Sequence, residues 1–269
     1  MVSIIILNYN TWEDTLNEVE NVHEVLNVPY KDIIVIDNQS TNDSKRYLKG
    51  KDFVFIESDE NGGYAKGNNI GLRYSYDNGY KYSLILNNDI IIDDKNLLSK
   101  LKDVMLNNQS VAVVNPDIVS PKGYLYNRNS KRPSFLDLTF GMLLYKRIGR
   151  HIDLIDNYGY IYRPQGCCML VDLEKMKKVD YFDEYTFLYN EELILAERLL
   201  KKGFKCACRI DTKVIHNHSK TINSNIRKNV IIKLQQEGFQ YYLEQYRCFN
   251  NVEIKMSLLF NYLKYRLLQ

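Results

Sequence analysis

Short apolar runs alternate with segments of helical periodicity along the first hundred residues of the chain. The runs are rich in Val, Ile and Leu, and they predict strands at residues 2–7, 33–36, 53–56 and 82–86. The intervening segments have helical spacing or a capping residue, and they predict helices at residues 11–26, 41–48, 64–76 and 93–106. This alternation is typical of βαβ units, so we predict an α/β fold with a mostly parallel sheet flanked by helices.

The rest of the chain is less regular. Residues 120–159 contain prolines, glycines and scattered aromatic residues without a steady period, and they predict a loop-rich segment. Further strands are predicted at residues 111–114, 168–171, 205–209 and 214–216, and a helix at residues 190–202. Because the pattern is helical from about residue 226 onward, we predict a main domain at residues 1–220 and a helical C-terminal extension at residues 221–269.

The charge is distributed unevenly along the chain. The net charge is +3, yet residues 201–269 hold 13 Lys and Arg against 4 Asp and Glu. A basic, tyrosine-rich extension suits an anionic membrane surface or a phosphate-bearing acceptor, although a solvated helix face explains it equally well. No RNP, zinc-finger or helix-turn-helix signature accompanies the charge, so we expect no nucleic-acid partner.

The chain shows no targeting pattern. The apolar run at residues 1–7 is short, lacks a basic region and ends at Asn8, so it does not resemble a signal peptide. No apolar run reaches the length of a membrane span. We expect a cytoplasmic protein. Because the C-terminal region is basic, peripheral contact with the inner face of the plasma membrane is a further expectation.

Five cysteines without a C-x-x-C pair indicate neither a disulfide framework nor a redox motif. Cys206 and Cys208 alternate on a predicted strand, and His216 and His218 follow them, so all four are zinc-type ligands. Their spacing matches no common zinc ribbon or finger, which makes structural zinc the weaker interpretation.

Polar residues follow three of the predicted strands at the point where each strand ends. They are Asn8, Asn10, Asp37, Asn38, Asn87, Asn88 and Asp89. Ligands of parallel sheets gather at this carboxyl edge. Asp89 lies between two apolar runs, where its carboxylate must be paired, cap a turn or hold a cation. A divalent ion bound to a diphosphate would satisfy it.

Glycines mark a loop-to-helix boundary at residues 61–71. Free backbone N–H groups beside Gly62 and Gly63 would favour an anionic group, and Lys66 is a candidate phosphate contact. The segment is neither a G-x-G-x-x-G fingerprint nor a Walker loop, and ordinary turn chemistry explains it equally well.

Two acids and a histidine are candidates for catalysis and metal binding. Glu191 and Glu192 begin a predicted helix, where acids usually complement the helix dipole. At about 100° per residue, Glu192 falls on the apolar stripe of that helix, whereas Glu191 is displaced from it. An inward carboxylate is a candidate general base. His216 closes a strand and offers an imidazole for a metal or a phosphate, although a lone His is more often structural.

Together these segments resemble family 2 of the inverting glycosyltransferases, and particularly a bacterial rhamnosyltransferase-like branch. The matching motifs occur in the family's order at residues 3–10, 35–40, 61–71, 86–89, 166–171, 181–192 and 214–216. The resemblance implies the GT-A fold, a Rossmann-like sheet flanked by helices. It also implies a nucleotide-sugar donor, a saccharide acceptor and Mg²⁺ or Mn²⁺.

The resemblance assigns roles to individual residues. Asn8 and Asp37 would border the nucleotide, Asp89 would be the metal ligand in the D-x-D position, and His216 would complete the metal or diphosphate site. Further candidate contacts to the nucleotide are Asn10, Asn38, Gly62, Gly63, Lys66, Asn68, Asn87 and Asn88. Gly166 and Cys167 are candidate contacts to the acceptor or sugar.

The chain departs from the family's pattern at the base. The family has a Glu-Asp pair where Glu191 and Glu192 stand, so Glu192 occupies the Asp position. Ile194 stands where a further Asp often follows. These departures leave room for an altered acceptor or for lost activity.

The sequence therefore predicts an inverting, metal-dependent transferase that uses a UDP-sugar or dTDP-rhamnose. Its acceptor would be a saccharide, and a lipid-linked saccharide is one form of this hypothesis. The reaction would belong to capsule or cell-surface polysaccharide synthesis. The alternative is a non-catalytic nucleotide-sugar-binding partner in a glycan-assembly complex. A sugar nucleotidyltransferase is disfavoured because no basic, Gly-rich loop follows the first strand.

Overall fold

The computed structural model describes residues 1–144, 152–217 and 228–267. The strands in these residues are β1 (Val2–Asn8), β2 (Ile33–Asp37), β3 (Val54–Glu57), β4 (Tyr82–Leu86), β5 (Ile90–Ile91), β6 (Val111–Val119), β7 (Leu154–Ile155), β8 (Tyr158–Ile161), β9 (Cys168–Asp172) and β10 (Lys205–His216). The helices are α1 (Trp12–Leu26), α2 (Ser44–Leu48), α3 (Gly63–Asp77), α4 (Leu97–Asn107), α5 (Phe135–Leu144), α6 (Leu173–Lys178), α7 (Glu191–Lys201), α8 (Lys228–Tyr241) and α9 (Asn251–Leu267). A 3-10 turn at Tyr30–Asp32 precedes β2, and a π-helical turn at Tyr242–Tyr246 follows α8.

The described strands form one sheet in the order β3-β2-β1-β4-β9-β6-β10-β8-β7, with β5 paired to β10 beside this path. Strands β3, β2, β1 and β4 are parallel, as are β6 and β10. Strand β9 runs antiparallel to both β4 and β6, and its Cys168 pairs with Leu86. The α/β class is confirmed, but the sheet is mixed and not mostly parallel, because a short apolar run does not reveal a strand's direction.

Helices cover both faces of the sheet. Ile4 and Ile6 of β1 pack with α1 and α4 on one face, and Ile5 packs with α3 and α7 on the other. All three isoleucines are fully buried. Because the middle of the strand is covered on both faces, residues 4–7 of β1 are all apolar and show no polar alternation.

Glycines bring α3 close to the sheet. A Cβ atom at Gly67 would lie 2.5 Å from Leu7 Cδ1, and one at Gly71 would lie 2.7 Å from Ile5 Cγ2. Both glycines therefore face β1 one helical turn apart, where a larger residue would push the helix outward. Their presence in the glycine-rich segment is explained by packing.

The expectation of a loop-rich segment at residues 120–159 is wrong for part of that range, because α5, β7 and the start of β8 lie within it. Helix α5 packs against α9. The buried hydroxyls of Thr139 and Ser257 are 2.7 Å apart, and the rings of Phe140 and Phe260 are 4.7 Å apart. The α5 sequence is apolar almost all round, so it carries no amphipathic period that would have indicated a helix.

The C-terminal helices share a core with α7. Ile194 of α7 is fully buried among Phe239, Tyr242, Leu243 and Ile254. The predicted boundary at residues 220 and 221, and His218, lie outside the described residues. Among the described helices, none combines the length and the apolar character that crossing a membrane requires.

We predict that Gly71→Ala lowers the free energy of unfolding by about 1–3 kcal/mol, because the new Cβ must displace Ile5 in a packed core. Urea denaturation measures this change. Intrinsic helix propensity alone predicts the opposite sign, a gain of about 1 kcal/mol. An increase in stability would therefore contradict the packing role of Gly71.

Candidate active site

The ends of β1 and β2 are fixed to each other by buried side chains. Asn8 Nδ2 donates to Asp37 Oδ1 at 2.7 Å, and Thr15 Oγ1 of α1 donates to Asn8 Oδ1 at 2.8 Å. Asp37 also accepts from Ser40, at 2.6 Å from Oγ and 3.1 Å from the backbone N–H. Asn8 and Asp37 are 0% and 1% exposed. Both were predicted to border the nucleotide, and in the structure they are buried below this edge, where their hydrogen bonds hold its loops.

Two more amides extend this network to the surface loops. Asn10, at φ 60°, accepts from the backbone N–H groups of Thr41 and Asn42 at 2.8 and 3.2 Å. Asn38 Nδ2 donates to Asn61 Oδ1 at 2.9 Å and to the Gly63 carbonyl at 3.1 Å. The loop after β2 is thereby tied both to the loop after β1 and to the glycine-rich segment.

The segment after β4 is anchored to α1 and β9. Asn88 Nδ2 donates to Thr11 Oγ1 at 2.8 Å and to Thr15 Oγ1 at 2.9 Å. The Asn87 backbone N–H donates to the Cys167 carbonyl at 2.9 Å. These contacts place Asp89 at the carboxyl edge of the sheet, next to the ends of β1 and β2.

Asp89 and His216 lie side by side. Strands β5 and β10 pair antiparallel with His216 opposite Ile90, and the Asn217 N–H donates to the Asp89 carbonyl at 3.0 Å. His216 Nε2 is 3.3 Å from Asp89 Oδ2, and each side chain is 12% exposed. The two predicted metal residues, 127 positions apart in sequence, are brought together here.

The donor chemistry of this pair fits a divalent cation. Mn²⁺ accepts carboxylate oxygen and imidazole nitrogen, and Mg²⁺ uses one or two carboxylates together with substrate phosphates and water. Across residues 1–144, 152–217 and 228–267, no three His, Cys, Asp or Glu side chains come together as a ready set of ligands. Among the described residues, Asp89 and His216 thus supply at most part of a coordination shell, and phosphate oxygens and water are the further ligands that such ions use. Cys206 and Cys208 are buried in the core of the sheet, as expected for structural cysteines.

A buried acid that the sequence analysis did not single out lies beneath this edge. Glu18 of α1 is 4% exposed, and its Oε1 has no hydrogen-bond partner among the described residues. Burial, and then the negative charge of Asp89, raise the pKa of Glu18 to about 9. Glu18 therefore keeps its proton at neutral pH.

The glycine-rich segment makes contacts within the protein. Gly63 has a φ angle of 74°, and a Cβ atom there would lie 1.8 Å from the Phe187 carbonyl oxygen. The next N–H, of Tyr64, donates to that oxygen at 3.0 Å. Lys66 forms an ion pair with Glu60. The contacts of Gly63 and Tyr64 with Phe187 join the start of α3 to the loop before α7, whereas the ion pair of Lys66 is local.

Two other members of the segment behave differently. Gly62 precedes the helix, and a Cβ atom there would meet only the flexible side chain of Lys66. Asn68 is 1% exposed and donates to the Tyr64 carbonyl at 2.9 Å, one turn earlier in α3. A contact of these residues with a nucleotide stays a prediction.

Glu192 is held at the carboxyl edge by Gly166. The Gly166 N–H donates to Glu192 Oε1 at 3.1 Å, and the Tyr64 hydroxyl donates to the Gly166 carbonyl at 2.7 Å. A Cβ atom at Gly166 would lie 2.7 Å from the Tyr64 hydroxyl and 3.0 Å from Glu192 Oε1. Glycine is therefore required here for the close approach of both side chains.

The expected orientations of the two acids are wrong in one respect. Glu191, expected to be displaced from the inward stripe, is 5% exposed, whereas Glu192 is half-buried. The helical-stripe argument assumes one covered face, but α7 is covered by the sheet on one side and by the C-terminal helices on the other. Burial, and then the charge of Glu192, raise the pKa of Glu191 well above its usual range.

Cys167 lies close to both halves of the site. Burial is the main cause that raises the pKa of its thiol, and the charges of Cys168, Asp89 and Glu192 add to it. The Asn87 N–H bonds the Cys167 carbonyl, two residues before Asp89, and the Gly166 N–H bonds Glu192. The strand end that carries Asp89 and the helix-start acid are therefore both linked to one short segment, Gly166–Cys167.

The family model "Glycosyl transferase family 2" matches residues 3–173. This chain belongs to glycosyl transferase family 2. The match includes the ends of β1, β2 and β4 and the Gly166–Cys167 segment, and the chain is accordingly a glycosyltransferase. A relative, the low-salt glycan biosynthesis hexosyltransferase Agl10 of Haloferax volcanii, is 27% identical over 220 residues, which are 80% of this chain and 67% of the relative.

Several solved structures share the fold of this chain. GalNAc-T7 with UDP, GalNAc and Mn²⁺ has a TM-score of 0.65 at 12% identity, over 92% of this chain and 49% of that chain. The mannosyltransferase PcManGT from Pyrobaculum calidifontis, with GDP-Man and Mn²⁺, has a TM-score of 0.61 at 14% identity, over 99% and 70%. TarS 1-349 of S. aureus has a TM-score of 0.55 at 14% identity, over 98% and 80%. The predicted GT-A fold is confirmed.

In this transferase, sequence reasoning missed three residues that support the candidate site. The Tyr64 hydroxyl bonds the Gly166 carbonyl, Thr15 accepts from Asn88, and Glu18 is buried near Asp89. The spacing of Thr15 and Glu18 was a usable signal, because both are polar residues on the buried face of α1. Nothing in the local sequence indicates that Tyr64 reaches position 166.

We predict that Glu18→Gln stabilises the transferase increasingly as pH rises. Between pH 5 and pH 9, folded Glu18 keeps a proton that the unfolded chain, at its ordinary pKa of 4.5, has lost. The wild type therefore loses stability over this range, by at most about 1.4 kcal/mol per pH unit, and the variant escapes this loss.

Urea unfolding at pH 5, 6.5 and 8, with EDTA present, measures the difference between variant and wild type. The exposed Glu24→Gln on the same helix is the control and should show a difference that does not change with pH. A constant difference for Glu18→Gln would mean that Glu18 is not protonated in the folded enzyme.

Proposed function

We propose that this enzyme inverts the anomeric configuration of a sugar while moving it from a nucleoside-diphosphate donor to a saccharide hydroxyl. The observation that carries the proposal is that one short segment, Gly166–Cys167, bonds both Glu192 and the strand end that leads to Asp89, beside which His216 lies. A single displacement needs a base on the acceptor hydroxyl and stabilisation of the departing diphosphate. Glu192 and the pair formed by Asp89 and His216 can supply both.

Asp89 and His216 would hold Mg²⁺ or Mn²⁺. When bound, the ion would neutralise negative charge that develops on the leaving diphosphate. The structure of PcManGT with GDP-Man and Mn²⁺, and that of GalNAc-T7 with UDP and Mn²⁺, support a divalent ion in this fold.

Glu192 would take the proton of the acceptor hydroxyl. Its carboxylate is half-buried, and the Gly166 N–H orients one oxygen at 3.1 Å. Glu191 is 5% exposed, so an entering acceptor would reach it less easily, which suits a supporting role. The added methylene of Glu192, relative to the family's Asp, is accommodated by the glycine at position 166.

The loops after β1 and β2 would contact the nucleotide, with Asn10 partly exposed there and the buried side chains of Asn8, Asp37 and Asn38 holding the loops in place. The donor would be a UDP-sugar or dTDP-rhamnose. The Haloferax volcanii relative is named a hexosyltransferase, and PcManGT is a mannosyltransferase, so hexose donors including GDP-mannose belong in the same screen.

The acceptor would be a growing saccharide of a capsule or another cell-surface polymer, lipid-linked if the enzyme works at a membrane. The relative's name places that protein in low-salt glycan biosynthesis, which supports a role in glycan assembly. Membership of the transferase family weighs against the alternative of a non-catalytic sugar-nucleotide-binding partner.

We predict metal-dependent release of a nucleoside diphosphate from one donor in a panel of UDP-, dTDP- and GDP-sugars. Asp89→Ala should abolish the release, because it removes the carboxylate ligand. Glu192→Gln should lower kcat for transfer about 10²–10⁴-fold while leaving donor affinity intact. Product release in Mg²⁺, Mn²⁺ and EDTA, and donor binding by calorimetry, provide the measurements.

Glu191→Gln and the exposed Glu237→Gln complete the set as the neighbouring acid and a surface control. Transfer by Glu192→Gln at the wild-type rate, with loss of transfer in Glu191→Gln, would move the base to Glu191. Donor binding without turnover, across many acceptors, would favour the non-catalytic partner.

We also propose peripheral membrane contact through α9. Val252, Met256, Leu259 and Leu263 recur at helical spacing along α9 and are 66%, 37%, 56% and 40% exposed. An exposed apolar stripe in a chain whose last 69 residues are strongly basic suits the interface of an anionic bilayer.

We predict that Leu259→Glu with Leu263→Glu releases the protein from anionic vesicles, because two carboxylates would be buried among lipid headgroups and chains. Co-sedimentation with phosphatidylglycerol-containing vesicles, compared with phosphatidylcholine vesicles, measures binding. Leu106→Glu, at an equally exposed leucine of α4, is the control and should bind as the wild type does. Unchanged binding of the double variant would exclude α9 as the contact.

A further inference from the structure

The loop that leads into the candidate base has a constrained backbone. We call residues 182–190 the pre-base loop. Its last two residues, Tyr189 and Asn190, have φ angles of 76° and 71°, and Glu191 and Glu192 follow them directly. Two consecutive non-glycine residues in the left-handed region cost free energy, so surrounding contacts must hold them.

Helix α3 holds one side of the pre-base loop. The Tyr64 N–H donates to the Phe187 carbonyl at 3.0 Å, where Gly63 leaves room for the contact. The amide of Asn69 bonds both backbone groups of Phe182, accepting from its N–H at 3.0 Å and donating to its carbonyl at 2.9 Å. These contacts connect the pre-base loop to the carboxyl edge of the sheet, where the donor would bind.

The C-terminal extension holds the other side. Asn190 Nδ2 donates to the Gln235 carbonyl of α8 at 3.2 Å. Asp183 Oδ2 accepts from the hydroxyls of Tyr241, at 3.0 Å, and of Tyr246. The ring of Tyr185 stacks on Tyr241 with centroids 3.8 Å apart. Both ends of the pre-base loop are thus bonded to the extension.

Gly238 sets how closely α8 approaches. A Cβ atom at this position would lie 3.0 Å from Asn190 Nδ2, 3.1 Å from the Tyr189 carbonyl oxygen and 3.3 Å from Thr186 Cγ2. Its three nearest neighbours all belong to the pre-base loop. Glycine weakens the interior of a helix relative to alanine, so the close approach is obtained at the expense of α8 itself.

We infer that the C-terminal extension positions the candidate base of the active site, and that Gly238 is a positioning residue for this base. The extension clamps the left-handed turn at Tyr189 and Asn190 between α3 and α8, and the turn fixes where α7 begins. The orientation of Glu192 towards Gly166 follows from that start. The inference rests on the proposed function in taking Glu192 as the base.

Gly238→Ala tests the inference. The added methyl group should displace the left-handed turn by a few tenths of an ångström and move Glu192. We expect kcat to fall at least tenfold, KM for the donor to stay within twofold, and the midpoint of thermal unfolding to stay level or rise. Backbone amides in residues 183–194 should exchange hydrogen faster than in the wild type.

Two controls separate positioning from stability. Glu237→Ala changes the exposed neighbouring residue and should alter neither kcat nor amide exchange. Gly71→Ala makes the same substitution in another helix and should destabilise the fold without faster exchange confined to the pre-base loop. Tyr241→Phe with Tyr246→Phe removes the bonds to Asp183 and should reproduce the kcat loss.

These experiments separate a failure of this inference from a failure of the proposed function. A Gly238→Ala protein with kcat within twofold of the wild type and unchanged exchange at residues 183–194 would overturn the clamp. If the wild type turns over no donor, the proposed function fails, while exchange in Gly238→Ala and in the tyrosine double variant still decides whether the extension holds the loop.

Discussion

The active site depends on the approach of the Gly63 backbone to the carbonyl of Phe187. A side chain at position 63 would overlap that oxygen, and the left-handed φ angle of Gly63 also disfavours one. Through this contact the first turn of α3, bonded to Asn38 after β2, carries the pre-base loop. The carboxyl edge at Asn38 and the candidate base are thereby connected through one chain of hydrogen bonds, although Asn38 and Glu192 are far apart in sequence.

Neutral amides make most of the connections within this assembly. Asn8, Asn38, Asn69 and Asn88 each bond groups from other segments, and all but Asn88 are buried. An amide can donate and accept at once, so it satisfies buried loops without adding charge. Under the proposed function this property would matter, because additional buried carboxylates would repel the diphosphate of a donor.

The sequence predicted four strands and four helices of the first hundred residues because β1, β2 and β4 are apolar runs buried on both faces and α1, α3 and α4 are amphipathic. It did not predict the two-residue strand β5 or the 3-10 turn before β2. It also predicted the strand-end residues, since the carboxyl edge of a parallel sheet is a general binding position. Helix α5 escaped prediction because it is apolar all round. The burial of Glu191 and the reach of Tyr64 to Gly166 depend on tertiary contacts, which no local period records.

The direction of β9 has a consequence for where functional residues can come from. In parallel strands only the residues that follow a strand reach the carboxyl edge. Strand β9 runs the other way between β4 and β6, with Cys168 opposite Leu86, so the residues that precede it arrive at that edge. Because one strand is reversed, the residues that precede it lie at the same edge as the residues that follow its neighbours. Gly166 comes to bond Glu192 in this way.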